Sequence, residues 1–133
     1  MTYQEIQKEK ESKISQLIKD CRMFFAFSAE QFHENKTGLQ EGEKYLSLGA
    51  GAYLPKFQLY NWEKGIKNIE NWKKQEVKRG KLNEQEILYE LSNHEVFYSW
   101  DFNTVNEIFA DKYTPEQIKK VFKKYQKQYQ ECL

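Results

Sequence analysis

The chain has 133 residues, with 21 Lys+Arg against 20 Asp+Glu, a formal net charge of +1 and 39% hydrophobic residues. That length suits one domain with one real core, and nine Phe, nine Tyr and three Trp argue against global disorder despite a polar average. Collagen, a disulfide scaffold and a multidomain enzyme are excluded.

Residues 3–22 read as an amphipathic helix, because Ile14, Leu17, Ile18 and Cys21 fall at i, i+3, i+4 and i+7. Its first half is polar apart from Tyr3 and Ile6, so it is expected to project or fray. Met23–Phe27 is a short apolar run suited to a buried strand. Ser28 with Gln31 three residues later reads as a capping box for a helix over 29–36. Thr37–Gly42 is a loop. Residues 44–48 alternate and read as a second strand, followed by an irregular glycine stretch, Gly49-Ala50-Gly51. Pro55 disfavours a helical Leu54, so the next helix starts at about Pro55 or later. A stripe of Leu59, Trp62, Ile66, Ile69 and Val77 then predicts a helix over 57–79. Gly65 inside it costs roughly 1 kcal/mol against Ala, and its missing side chain suits a close helix crossing. Asn83 is the expected cap of a helix over 84–98 and Asp101 that of a short one over 102–110. Thr114-Pro115-Glu116-Gln117 starts the last helix. That helix should bury Ile118, Val121, Phe122, Tyr125 and Tyr129, with Lys119, Lys120, Lys123 and Lys127 over much of the rest. The fold class is α+β: a helix-dominated domain over 23–133 with a small two-stranded element (about 23–27 and 44–48), plus an N-terminal helical extension over 1–22.

The longest apolar run falls far short of the ~20 residues a membrane-spanning helix needs. The Lys/Glu-rich start has no apolar core and reads as no export signal. A reducing cytoplasm is the expected compartment, with Cys21 and Cys132 as free thiols. Neutral net charge hides segregation. Residues 56–81 carry eight positive and three negative charges, residues 82–111 seven negative and none positive, and residues 112–133 six positive and two negative. The blocks either pair within the chain or form patches that meet a charged partner.

Three groups of residues are candidates for chemistry. His94 and Glu95 fall on the wheel face that should be buried, which marks either a hydrogen-bonded core pair or an acid/base site with Asn93 beside it. The zinc-protease pattern is broken by Phe97, and neither a metal nor another cofactor is expected. Gly49 and Gly51, with Tyr53 and Lys56, form a glycine turn before a helix: either a tight turn with left-handed residues, or a small phosphate-ligand site with Tyr53 as a stacking platform. The cations Lys73, Lys74, Lys78, Arg79, Lys120 and Lys124 are candidate polyanion contacts.

Met23 to Ser28 with Glu30-Gln31-Phe32, Glu43-Lys44-Tyr45 through Pro55-Lys56, and Tyr89-Glu90-Leu91 with Asn93-His94-Glu95 together resemble a family of small bacteriophage and prophage proteins without an established activity. The resemblance covers about residues 22–115 and makes the N-terminal helix an addition. It departs at Ala52, where the pattern has Gly, and at Ser99-Trp100, where it has Thr-Gly. It implies a cytoplasmic protein of the infected bacterium that works without catalysis by binding a host protein, in host takeover or in counter-defence of the anti-CRISPR kind. The alternatives are a small-ligand or nucleotide-binding protein or enzyme, with its site where the glycine turn meets His94-Glu95, and a nucleic-acid binder using its lysine-rich helices. A homo-oligomer is expected if the N-terminal helix keeps an uncovered apolar face.

Overall fold

The structure, a computed structural model, describes residues 1–36 and 43–130. The expected loop Thr37–Gly42 and Cys132 lie outside the described residues. In chain order the elements are α1 (Tyr3–Asp20), β1 (Phe24–Phe25), α2 (Ala29–Asn35), β2 (Tyr45–Gly49), β3 (Ala52–Pro55), a 3₁₀ turn (Lys56–Gln58), α3 (Leu59–Arg79), α4 (Asn83–Asn93), α5 (Val96–Ser99), α6 (Asn103–Ile108) and α7 (Pro115–Gln130). The class is helix-dominated α+β, as the sequence predicts. The sheet has three strands rather than two, in the order β1-β3-β2 and antiparallel throughout. The unpredicted strand is β3, so the glycine stretch is the tip of a β2–β3 hairpin, with Gly49 at φ +85° and Gly51 at φ +80°. Among the described residues no helix is long and apolar enough to cross a membrane.

The residues divide into two compact units, Gln4–Glu76 and Met1–Tyr3 with Val77–Leu133. In the first, alternation along the strands splits the side chains between two faces. Phe24, Tyr45 and Tyr53 meet Phe32 of α2, with ring centroids 5.0 to 5.5 Å apart. Met23, Ala52 and Leu54 pack with Ile18 of α1, Leu46 and Trp62 of α3. Ser28 caps α2 by accepting from the Gln31 N–H at 3.1 Å. Ile6 is fully buried, so the first half of α1 does not fray. Cys21 is a buried free thiol. Gly65 is the predicted close approach: a Cβ there would stand 2.5 Å from Cδ1 of Leu17.

The other unit is built on Ile87, Leu91, Val96, Phe97, Val105, Phe109, Ile118, Val121 and Phe122. Phe97 stacks between Phe122 and Tyr129, at 4.9 and 4.6 Å. Thr114 and Gln117 cap α7 reciprocally: the Gln117 N–H donates to Thr114 Oγ1 at 3.2 Å, and the Thr114 N–H to Gln117 Oε1 at 2.8 Å. Two expectations fail here. The helix over 84–98 breaks after Asn93, because Glu95 adopts a left-handed φ of +54° and the chain restarts as α5. That conformation costs a non-glycine residue about 1 kcal/mol or more, and the restart carries Val96 and Phe97 into the core. Asn83 is the first residue of α4 rather than its cap; its Oδ1 lies 3.1 Å from the Tyr113 hydroxyl.

Glu86 is the buried charge of this unit, 3% exposed. The Lys112 ammonium pairs with it, and the Tyr113 hydroxyl donates to its Oε1 at 2.9 Å. Tyr3 is also buried and its ring lies 5.5 Å from that of Tyr89. Burial first, then the Glu86 carboxylate, hold both the Tyr3 and Tyr113 phenols above the usual tyrosine value.

Two predictions follow from this packing. Gly65→Ala displaces only the tip of half-buried Leu17, and the helix-propensity gain of about 1 kcal/mol offsets it. Gly65→Val cannot be absorbed and should lower stability by about 1–3 kcal/mol; urea unfolding of both variants checks the pair. The two raised phenols fold in the neutral form. Their contribution is complete below the unfolded tyrosine value of about 10 and is lost as pH rises above it through the folded values. Stability should fall on the alkaline side by up to about 1.4 kcal/mol per pH unit per phenol. Replacing Tyr3 and Tyr113 by Phe should flatten that fall in thermal unfolding across the alkaline range.

Candidate functional site

The groove between α4 and α7 joins a charged rim to an apolar floor. The α7 cap fixes where its helical turns begin, so Ile118 and Phe122 turn into the core while Gln117, Lys120 and Lys124 follow one another along the next face. Across from them α4 presents Asn83, Glu84 and Ile87. The groove is open to solvent and has a volume of about 770 Å³, with Ile87, Val121 and Tyr113 as its apolar and aromatic lining and Lys120, Lys123 and Lys124 as its cations. Glu84 accepts from Lys124 Nζ at 2.7 Å, and that hydrogen bond raises the lysine above its ordinary value. No acidic partner meets Lys120 or Lys123 among the described residues. Such a groove attracts negative charge and also accepts an apolar group.

The sequence-predicted residues are scattered more widely. Lys120 and Lys124 lie together in the groove. Lys78 and Arg79 end α3 in the same unit, whereas Lys73 and Lys74 belong to the other. His94 is half-buried and its Nε2 lies 3.3 Å from the Glu90 carboxylate, one helical turn back, so Glu90 rather than Glu95 is its neighbour. Asn93, the last residue of α4, and Glu95, at the helix break, are both exposed; the inward Glu95 of the helical wheel depended on a helix that does not continue. Gly49 and Gly51 belong to the other unit, at a hairpin tip that β3 separates from α3, not at a helix N-terminus. Phe27 lies against Gly51, where a Cβ would come within 2.5 Å of its ring. Tyr53 already stacks on Phe24 at 5.7 Å. Lys56 is exposed and its backbone N–H donates to the Lys44 carbonyl at 2.7 Å. Among the described residues no group of three His, Cys, Asp or Glu is placed to hold a metal ion.

Sequence reasoning missed Ile87, Tyr113, Gln117 and Glu84 as lining. The available signal was the juxtaposition of charge blocks: an acidic stretch ending at Asp111 and a basic one beginning at Lys112 predict neighbouring helices with opposite faces.

No curated protein and no solved structure gives a significant match to this chain. A family model, described as a family of unknown function and designated DUF7659, matches residues 2–131. The matched span takes in α1, which the motif resemblance alone treats as an addition. The chain therefore belongs to the DUF7659 family, whose function is unknown.

Proposed function

We propose that this chain is a non-catalytic binding protein that receives an acidic, partly apolar segment of another protein in the α4–α7 groove. The observation that carries the reading is the pairing of three lysines with a floor of Ile87, Val121 and Tyr113 in one groove of about 770 Å³. Desolvated aromatic and aliphatic anchors ringed by charge are what protein partners use. A nucleic-acid backbone fits less well, because Glu84 stands on the same rim and the floor offers nothing to a phosphate. The motif resemblance to small phage and prophage proteins supports assigning the binding to host takeover or counter-defence inside the bacterium, with a host protein as the partner.

The test compares the wild-type chain with K120E/K123E as bait on a host lysate. Wild type should retain one protein in stoichiometric yield through an acidic segment. The double reversal should lower retention by roughly tenfold or more, since like charges in an interface repel strongly. The exposed reversal K74E on α3 should leave retention unchanged. Retention that ignores the groove reversal, or recovery of nucleic acid or a nucleotide instead of protein, overturns the proposal.

A further inference from the structure

The unit that carries the lysine groove also carries its complement. Along α6 and the turn after it, Val105 and Phe109 are buried, while Thr104, Glu107, Ile108 and Asp111 are exposed. Thr104, Glu107 and Ile108, spaced i, i+3 and i+4, share one side of α6, and Asp111 follows in the turn after it. Ile108 is 49% exposed, with Glu107 before it and Asp111 three residues after it in the chain. No cation pairs with Glu107 or Asp111 among the described residues. An aliphatic side chain flanked by acids is what the groove is built to receive: Ile108 suits the Ile87–Val121 floor, and the two carboxylates suit Lys120 and Lys123.

We infer that a second copy of this chain occupies the groove, its α6 stripe seated on α7 of its partner. This inference rests on the groove being a binding site for acidic segments. Stripe and groove lie in one unit on either side of the Phe109–Thr114 turn, and the inferred assembly is the reciprocal one, in which each copy gives its stripe to the other's groove and the contact closes at two. The stripe is short, so the contact is small and the dimer weak and reversible. Its charges are solvent-accessible at the rim, so added salt weakens it. The dimer holds the groove shut, and an external acidic partner must displace it.

Light scattering and sedimentation on the full chain read the assembly. Wild type should move from one to two chain masses as concentration rises, and back as salt is added. K120E/K123E and E107K/D111K should each stay monomeric, their self-affinity lowered by roughly a hundredfold or more. Mixed one to one, they should recover the dimer, because each acidic surface again faces a basic one. Circular dichroism confirms that both variants are folded. A wild-type chain that stays monomeric at millimolar concentration, or a mixture that does not pair, overturns the inference. The two readings separate cleanly. A monomeric wild type that still loses its protein partner on K120E/K123E refutes self-pairing and leaves the binding role; a rescued dimer with no captured partner does the reverse.

Discussion

A carboxylate taken almost wholly out of water is stable only where other groups meet its charge, and the C-terminal unit is arranged around that demand. Glu86 sits on α4, and its partners Lys112 and Tyr113 lie just before the start of α7. The pair therefore ties the turn that precedes α7 to α4. The Thr114–Gln117 cap then launches α7 from that fixed point. Val121 and Ile87 come to share a groove, and Lys124 arrives beside Glu84. Removing one partner of a buried pair leaves an uncompensated charge, which is far worse than never having had the pair. The network thus fixes the relation of these two helices more firmly than hydrophobic burial alone, which tolerates sliding.

The same geometry explains why a nearly neutral chain keeps charged surfaces. Two acidic residues of the 82–111 block, Glu84 and Glu86, are met by lysines of the following block, and Glu90 is met by His94. The reading of the blocks as intramolecular complements therefore holds for Glu84 and Glu86, while the Glu90–His94 pair lies within the acidic block. It leaves a remainder. Lys120 and Lys123 stand on the groove side, and Glu107 and Asp111 on α6 and the turn after it. Both signs therefore persist on the surface of one unit, with no ion pair joining these four among the described residues.

Much of the fold was legible in the sequence where one local signal decides. The Thr114 and Ser28 caps, the stripe of α3 and the Gly65 contact are set by spacing over one or two turns. What failed depended on distant residues. β3 is four residues long and ends in Pro55, which locally argues against a strand interior; it exists because β1 and β2 flank it on both edges. The break at Glu95 carries no Gly or Pro to announce it, and burial of Val96 and Phe97 against α7 outweighs the backbone cost. Tyr3 and Ile6 look isolated in a polar stretch and yet are buried. At the site, Lys120 and Lys124 were readable from helical spacing. Ile87 and Tyr113 were not, since nothing in their own neighbourhoods shows that they converge.

The lysines of the C-terminal block that face α4 differ in how far the fold depends on them. Lys112 is paired with a carboxylate at 3% exposure, so releasing it would strand that charge in the core. Lys124 is 62% exposed and bonded to a Glu84 that is itself one-third exposed. A solvated pair of that kind contributes little, so water can replace either partner and Lys124 can turn to an incoming carboxylate without loss of the helix packing beneath it. Lys120 and Lys123 need no release at all. On the proposed reading, a partner entering the groove meets two cations at once and gains a third by displacing Glu84. That carboxylate then faces the bound acid across the rim, and its repulsion favours partners whose negative charge lies over α7 rather than over α4.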